Sequence, residues 1–291
     1  MKIAIQGFRG SFHEVAARQY FGAAPALSFC ATFGEVVAQV ADGRADAALM
    51  AMENSLAGSI LPNYLLLERN PLTITGEVYL PIHQHLLVLP GTTLAEVRAV
   101  HSHPMALRQC GDFLSQYPAW QLVETEDTGL SAQHLAERRP AGVAVVAGAQ
   151  AAEAFGLQIL APAINDDPNN YTRFLVLERA TEAAPVTTPD KASLYFYTSH
   201  APGMLARVLT LVASHGLNLS KLQSCPRPSQ PWHYGFHADV EFNAPAQLEA
   251  LLAELPAVTE ELRVLGAYER GSMAFGQDNV GNEQKALSLR A

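Results

Sequence analysis

The sequence predicts an α/β protein of two lobes followed by a small βαββαβ unit, and three observations carry that expectation. Through residue 180, short apolar runs of strand length alternate twice over with segments whose apolar residues recur every three or four positions. That is the pattern of largely parallel sheets covered by helices on both faces, and two such lobes leave a cleft between them. From Thr181 to Ala192 the chain turns rich in Ala, Pro and Thr, a linker composition. Beyond it, four strand-like and two helical segments follow in the order of a ferredoxin-like unit.

In chain order, Ile3-Ala4-Ile5 is a short strand that Gly7-Phe8-Arg9-Gly10 turns into a helix. Ser11 and Glu14 form a capping box, so the helix runs from Ser11 to about Phe21. Its free N–H groups suit an anion, although a tight turn explains the glycines equally well. Thr32 and Glu35 repeat the box ahead of a helix that Gly43 ends. Ala47 to Met52 reads as a buried strand that stops at Glu53-Asn54-Ser55. Three hydrogen-bonding side chains there form one wall of a polar site, or Asn54 or Ser55 caps the helix containing Leu61, Leu65 and Leu66. Leu72 to Tyr79 is a further strand.

From Pro81 a second set begins, with strands at His85–Leu89 and Val97–Ser102 and a short turn or helix at Ala95–Val97. Pro104 opens a helix whose Leu107, Cys110, Phe113, Leu114 and Tyr117 keep the 3.6-residue period. Gln121 to Val123 is a strand ending in Glu124-Thr125-Glu126-Asp127, and Thr128 caps a helix to Arg139. A strand at Gly142–Ala147 and a helix at Ala149–Phe155 complete the lobe. The His83/His85 and His101/His103 pairs share strand faces, but no third ligand is evident, so structural histidines are expected and no metal.

The polar loop Asn165-Asp166-Asp167-Pro168-Asn169 then leads into Asn170-Tyr171-Thr172-Arg173-Phe174 and the apolar Leu175-Val176-Leu177. A hydroxyl and a guanidinium at the mouth of a buried strand mark a common ligand position in α/β proteins. The plain alternative is a turn whose arginine covers surface.

After the linker, a strand at Leu194–Phe196 precedes Pro202-Gly203, which opens a helix that Gly216 ends. A strand through Leu217–Leu222, a loop with Pro226, Pro228 and Pro231, and a strand at Tyr234–Phe242 follow. A helix at Ala246–Leu255 and a strand at Val258–Leu265 close the unit. Without a catalytic cluster, it reads as a ligand-sensing or dimerising module. Residues 271–291, rich in Gly, Asn and Gln, read as a mobile tail.

Bulk properties narrow the function. A net charge of −9 without a basic face speaks against nucleic acid and anionic membrane as partners. Three well-separated cysteines, Cys30, Cys110 and Cys225, read as reduced thiols in a reducing compartment. Neither a signal peptide nor a membrane span is apparent, so a cytoplasmic location is expected.

In order and spacing, Gly7-x-x-Gly10-Ser11-Phe12, Glu53-Asn54-Ser55, Ser102-His103-Pro104 and Asn170-x-Thr172-Arg173-Phe174 resemble monofunctional prephenate dehydratases with a C-terminal regulatory ACT domain. Pro202-Gly203-Met204-Leu205 and Leu222-Gln223-Ser224-Cys225-Pro226 extend the resemblance to that last domain. It implies conversion of prephenate to phenylpyruvate without a cofactor, in a two-lobed domain of the periplasmic-binding-protein type. The chain then divides into lobe one (about 1–80 and 163–180), lobe two (about 81–162), a linker (181–191), the ACT domain (192–270) and the tail. By position, Thr172 would be the catalytic hydroxyl, with Glu53 or Glu126 as the acid. Asn54, Ser55, Ser102, Gln109, Arg173 and Phe174 would hold the substrate.

The effector, L-phenylalanine, would meet Pro202, Gly203, Met204, Leu205, Asn218, Gln223 and Ser224 between paired ACT domains of a homodimer or homotetramer. Gln223 and Cys225 replace the Glu and Arg of the family's usual Glu-Ser-Arg-Pro, which weakens charge pairing in that loop. Rival readings are an arogenate dehydratase, a non-catalytic solute-binding protein of the same architecture, and a purely regulatory protein.

Overall fold

The structure, a computed structural model, describes residues 1–22, 24–227, 230 and 232–272. Most of the expected tail, together with Pro228 and Pro231, lies outside the described residues.

Lobe one starts with β1 (Lys2–Gln6), β2 (Ala26–Cys30), β3 (Ala47–Asn54), a two-residue β4 (Gly58–Ser59) and β5 (Leu72–Pro81). Lobe two follows with β6 (His85–Val88), β7 (Ala99–Ser102), β8 (Gln121–Glu124), β9 (Val143–Ala147) and β10 (Gln158–Ala161). The chain then re-enters lobe one as β11 (Tyr171–Arg179). Lobe one is thus a sheet of order β2-β1-β3-β11-β5, and lobe two one of order β10-β6-β9-β7-β8. The two crossings run side by side, with Ile82 N–H donating to the Asn170 carbonyl at 2.7 Å.

The sheets are mixed rather than largely parallel. β11 returns from lobe two pointing the other way and slots antiparallel between β3 and β5, while β6 and β10 are antiparallel in lobe two. Strands β2 and β10 carry no clear sequence signal because they are short edges with few buried residues. The helix expected from Pro104 to Tyr117 is two, Pro104–Arg108 and Gly111–Ser115. Asp166 of the incoming loop accepts the N–H groups of Gly111 and Asp112, each at 3.0 Å, and thereby starts the second helix afresh. Asp127, not Thr128, caps the helix Thr128–Arg138. Only the N-cap half of each expected capping box forms, Ser11 Oγ accepting from Glu14 N and Thr32 Oγ1 from Glu35 N. The Glu14 and Glu35 carboxylates accept instead from Gly10 N and Ala31 N, one residue before each cap.

The C-terminal unit comprises β12 (Lys191–Tyr197), β13 (Asn218–Pro226), β14 (Tyr234–Glu241) and β15 (Glu261–Tyr268), in the antiparallel order β13-β14-β12-β15. Helices Met204–Ser214 and Pro245–Glu254 cover one face through Val208, Val212, Leu248 and Leu251 against Leu194, Phe196 and Val240. The other face packs on lobe one. Tyr195, Tyr197, Leu265 and Tyr268 share a core with Tyr64, Leu67, Leu72 and Ile74. All seven residues of β12 are therefore buried.

Candidate active site between the lobes

A cleft of about 440 Å³ opens between the lobes. Lobe one contributes the ends of β3 and β11, where Asn54 and Thr172 are register partners. Asn54 Nδ2 donates to Thr172 Oγ1 at 3.1 Å and to Asn170 Oδ1 at 2.6 Å. Asn170 Nδ2 donates in turn to Gln109 Oε1 of lobe two at 3.1 Å, so a chain of amides spans the hinge. Asn54 Oδ1 accepts the N–H groups of Leu56 and Ala57, which fixes the orientation of that amide.

An aromatic floor lies beside the polar pair. His13 packs edge-on against Phe174 at 5.0 Å and tilted against Phe33 at 5.5 Å. Burial lowers the His13 imidazole to about 4, so it is neutral near pH 7. From lobe two come His103, Met105, Gln109, Glu126, Asp127 and Thr128. Burial raises the Asp127 carboxyl above its ordinary value, against the opposing pull of the Leu130 and Gly129 amides and of His103. The starts of helices Phe12–Phe21 and Thr128–Arg138, at Ser11 and Asp127, both line the cleft.

Of the residues singled out from sequence, Thr172, Asn54, Gln109, Glu126 and Phe174 line this cleft. Four others lie elsewhere. Successive strand residues face opposite sides, so Glu53 and Arg173 turn away from it. Glu53 pairs with Lys221 at 2.7 Å. Arg173 is buried between Glu77 at 2.7 Å and Asp239 at 2.5 Å, with Tyr268 Oη at 3.1 Å. Neither is free to act on a substrate. Ser102 is wholly buried and donates to the Val146 carbonyl at 2.6 Å, serving the β7–β9 packing. Ser55 closes the loop behind the motif, donating to Asn169 O and accepting from Tyr171 N.

Sequence reasoning missed Asp127 and His13 as cleft residues, and it did not give Asn170, buried and part of the motif it singled out, its place as the link between Asn54 and Gln109. Asp127 sits directly beside Glu126, and Asn170 lies two residues before Thr172. His13 carried no signal beyond its place in the first helical turn. Among the described residues lining the cleft there is no Lys or Arg. No group of three metal-ligating side chains occurs among the described residues, and His85 and His103 accept backbone N–H groups from Ala163 and Met105.

A second cavity, of about 520 Å³, lies at the start of helix Met204–Ser214. Pro202, Gly203, Met204 and Leu205 line it with His200, His233 and Tyr234. Asn218, Gln223 and Ser224 do not line it. They lie on β13, at the open edge of the sheet, and their bonds are local, Gln223 Nε2 to Ser224 O and Asn218 Nδ2 to Glu241.

The model of the family "Prephenate dehydratase" matches residues 3–182. The bifunctional chorismate mutase/prephenate dehydratase of Escherichia coli K12 is 34% identical over 273 residues, 92% of this chain and 70% of that protein. The chloroplastic arogenate dehydratase 5 of Arabidopsis thaliana is 36% identical, over 92% and 67%. The structure of a prephenate dehydratase from Arthrobacter aurescens in complex with L-Phe superposes with a TM-score of 0.84 at 26% identity, covering all of both chains. A structure described as GqqA, a novel type of quorum quenching acylase, gives a TM-score of 0.83 at 33% identity, covering 93% and 98%.

Proposed function

The chain belongs to the prephenate dehydratase family, and on that premise we propose that it converts prephenate into phenylpyruvate, water and carbon dioxide. The observation that carries this reading is the Thr172 hydroxyl, fixed by Asn54 on the floor of a cleft whose opposite wall holds Glu126 and Asp127.

In the reaction the ring hydroxyl departs with a proton as water. The bond to the ring carboxylate breaks, and its electron pair completes the aromatic ring as carbon dioxide leaves. Aromatisation drives the elimination, so the enzyme has mainly to assist a poor leaving group. The Asn54 amide occupies a lone pair of Thr172 Oγ1, which leaves the O–H free to donate to the departing oxygen. A threonine hydroxyl is a feeble acid, and the proton itself comes from a carboxyl. Asp127, raised by burial, is the group best suited, with Glu126 beside it, and such acid assistance contributes about 10²–10⁴-fold. A substrate carboxylate meets the helix start at Ser11, since the helix start at Asp127 is already capped by the Asp127 carboxyl itself.

A second reading is favoured by the charge of the lining. Two carboxyls and no Lys or Arg among the described cleft residues suit a substrate bearing an ammonium group. Arogenate, which would yield phenylalanine directly, is that substrate. We further infer a carbon–oxygen lyase of cytoplasmic phenylalanine biosynthesis, inhibited by L-phenylalanine. The effector binds an ACT-type C-terminal unit at the Pro202–Leu205 cavity, with the free edge of β13 pairing two copies in a homodimer or homotetramer.

The test is turnover of prephenate and arogenate in parallel, on wild type and Thr172→Ala, with and without L-phenylalanine. Thr172→Ala is expected to lower kcat by roughly 10²–10⁴-fold on the preferred substrate. A wild type inert toward both substrates sinks the enzyme reading.

A further inference from the structure

Behind the Asn54–Thr172 pair, on the sheet face turned away from the cleft, four charges alternate. Glu53 and Arg173 are register partners on β3 and β11. Lys221 and Asp239 are register partners on β13 and β14. Across the two sheets Lys221 Nζ meets Glu53 Oε1 at 2.7 Å, and Arg173 Nη1 meets Asp239 Oδ2 at 2.5 Å. Each charge therefore has an opposite neighbour in its own sheet and another in the facing sheet, and Arg173 pairs besides with Glu77 on β5. Lys221 also donates to Ser59 Oγ at 2.7 Å, tying in the small hairpin partner of β3.

Both ladders are irregular at this point. The β3–β11 ladder shifts immediately after Arg173, where Phe174 pairs with Ala51 and leaves Met52 without a partner on β11, its carbonyl accepting from Ile60 N at 2.8 Å. The β13–β14 ladder shifts likewise just before Lys221, where Ser220 is the extra residue. Such bulges bend a strand and re-aim its side chains. Asn54 and Thr172 are each one peptide away from a clamped charge, so displacement of Glu53 or Arg173 carries the cleft pair with it.

We propose that this four-charge clamp positions Asn54 and Thr172 for the reaction, with Lys221 of the C-terminal unit acting through Glu53 as a positioning residue. The dehydratase reading is the ground for choosing the assay. Misplacement of a catalytic group by about 1 Å costs up to about 10²-fold. Lys221, at the less buried end of the clamp, is the corner that can be removed with least harm to the fold.

Wild type, Lys221→Met, Lys221→Arg and the reversed pair Glu53→Lys/Lys221→Glu are compared after thermal unfolding confirms folded protein. The clamp predicts that Lys221→Met lowers kcat by about 10–100-fold with KM little changed, and that Lys221→Arg restores most of the loss. The reversed pair should not recover, because it places the new lysine beside Arg173 and the new glutamate beside Asp239. Wild-type kcat in Lys221→Met, or recovery in the reversed pair, overturns the proposal. If Lys221→Met does not fold, Glu53→Gln takes its place with the same expectation. Hydrogen exchange across residues 52–55 and 171–174 is read on the same proteins, where faster exchange without Lys221 supports the clamp and unchanged exchange overturns it. This readout needs no substrate, so a wild type inert toward prephenate and arogenate defeats the dehydratase reading alone.

Discussion

Gly10 shows how a single residue shapes the cleft. It sits at φ +79°, and a Cβ there would come within 3.0 Å of Ala151 Cα in lobe two. The G-x-x-G turn thus seats one lobe against the other, which its sequence reading as a strand-to-helix turn did not convey. Gly10→Ala is expected to cost about 1–3 kcal/mol, read as a lowered urea midpoint, with KM rising as the lobes are pushed apart. At the same scale, Asp127→Asn should lose more kcat than Glu126→Gln if the half-buried Asp127 carboxyl is the proton donor. Equal losses in the two variants would remove that distinction. Thr172 and Asn54 were legible because polar residues at the end of apolar runs stand out. Glu53 and Arg173 stood out equally and were misplaced, since alternation sends only one of two strand neighbours toward the cleft. Which neighbour goes there depends on what covers the sheet's other face, and no local pattern states that.

Among the elements, β11 carries most of the architecture. One strand supplies Thr172 to the cleft, Arg173 to the C-terminal unit and Leu175 and Leu177 to the core between them. Its return direction decides that the sheet is mixed, and periodicity cannot reveal the direction of a strand whose partners are distant in sequence. Arg173 faces Glu77 and Asp239, with Lys191 also bonded to Glu77 at 3.0 Å. Arg173→Met would leave a buried carboxylate without its partner. It is expected to destabilise by about 3–5 kcal/mol in urea unfolding at pH 7. A loss under about 1 kcal/mol would mean that Lys191 alone satisfies both carboxylates. The βαββαβ order was readable because its helices are amphipathic, whereas the packing of its second face was not.

For the molecule as a whole, the interface between lobe one and the C-terminal unit makes stability depend on acid. His237 is buried there against Tyr64 and Tyr195 at 5.0 and 4.5 Å, and burial lowers its imidazole from 6.5 to about 4. The folded state therefore binds this proton less readily than the unfolded chain. The stability involved is present above pH 6.5 and is lost as the pH falls through 4, up to roughly 3 kcal/mol in all. His237→Phe keeps the ring packing and removes the titration. Between pH 7 and pH 4.5, wild type should lose about 2 kcal/mol more than this variant in urea unfolding. Parallel losses would place the acid sensitivity elsewhere.

That interface also bears on how freely such proteins can exchange parts. A sheet that relies on its neighbour for a second face is not a cassette. Severed at the linker, it would present Tyr195, Tyr197 and Tyr268 to water and leave Lys191 and Asp239 without their partners in lobe one. A foreign C-terminal unit spliced on at residue 190 would meet a host surface shaped for another guest. Chimeras between relatives should fold only when helix Leu61–Arg69 and strand β5 travel with the graft. The natural seam of this chain follows a surface rather than a sequence boundary.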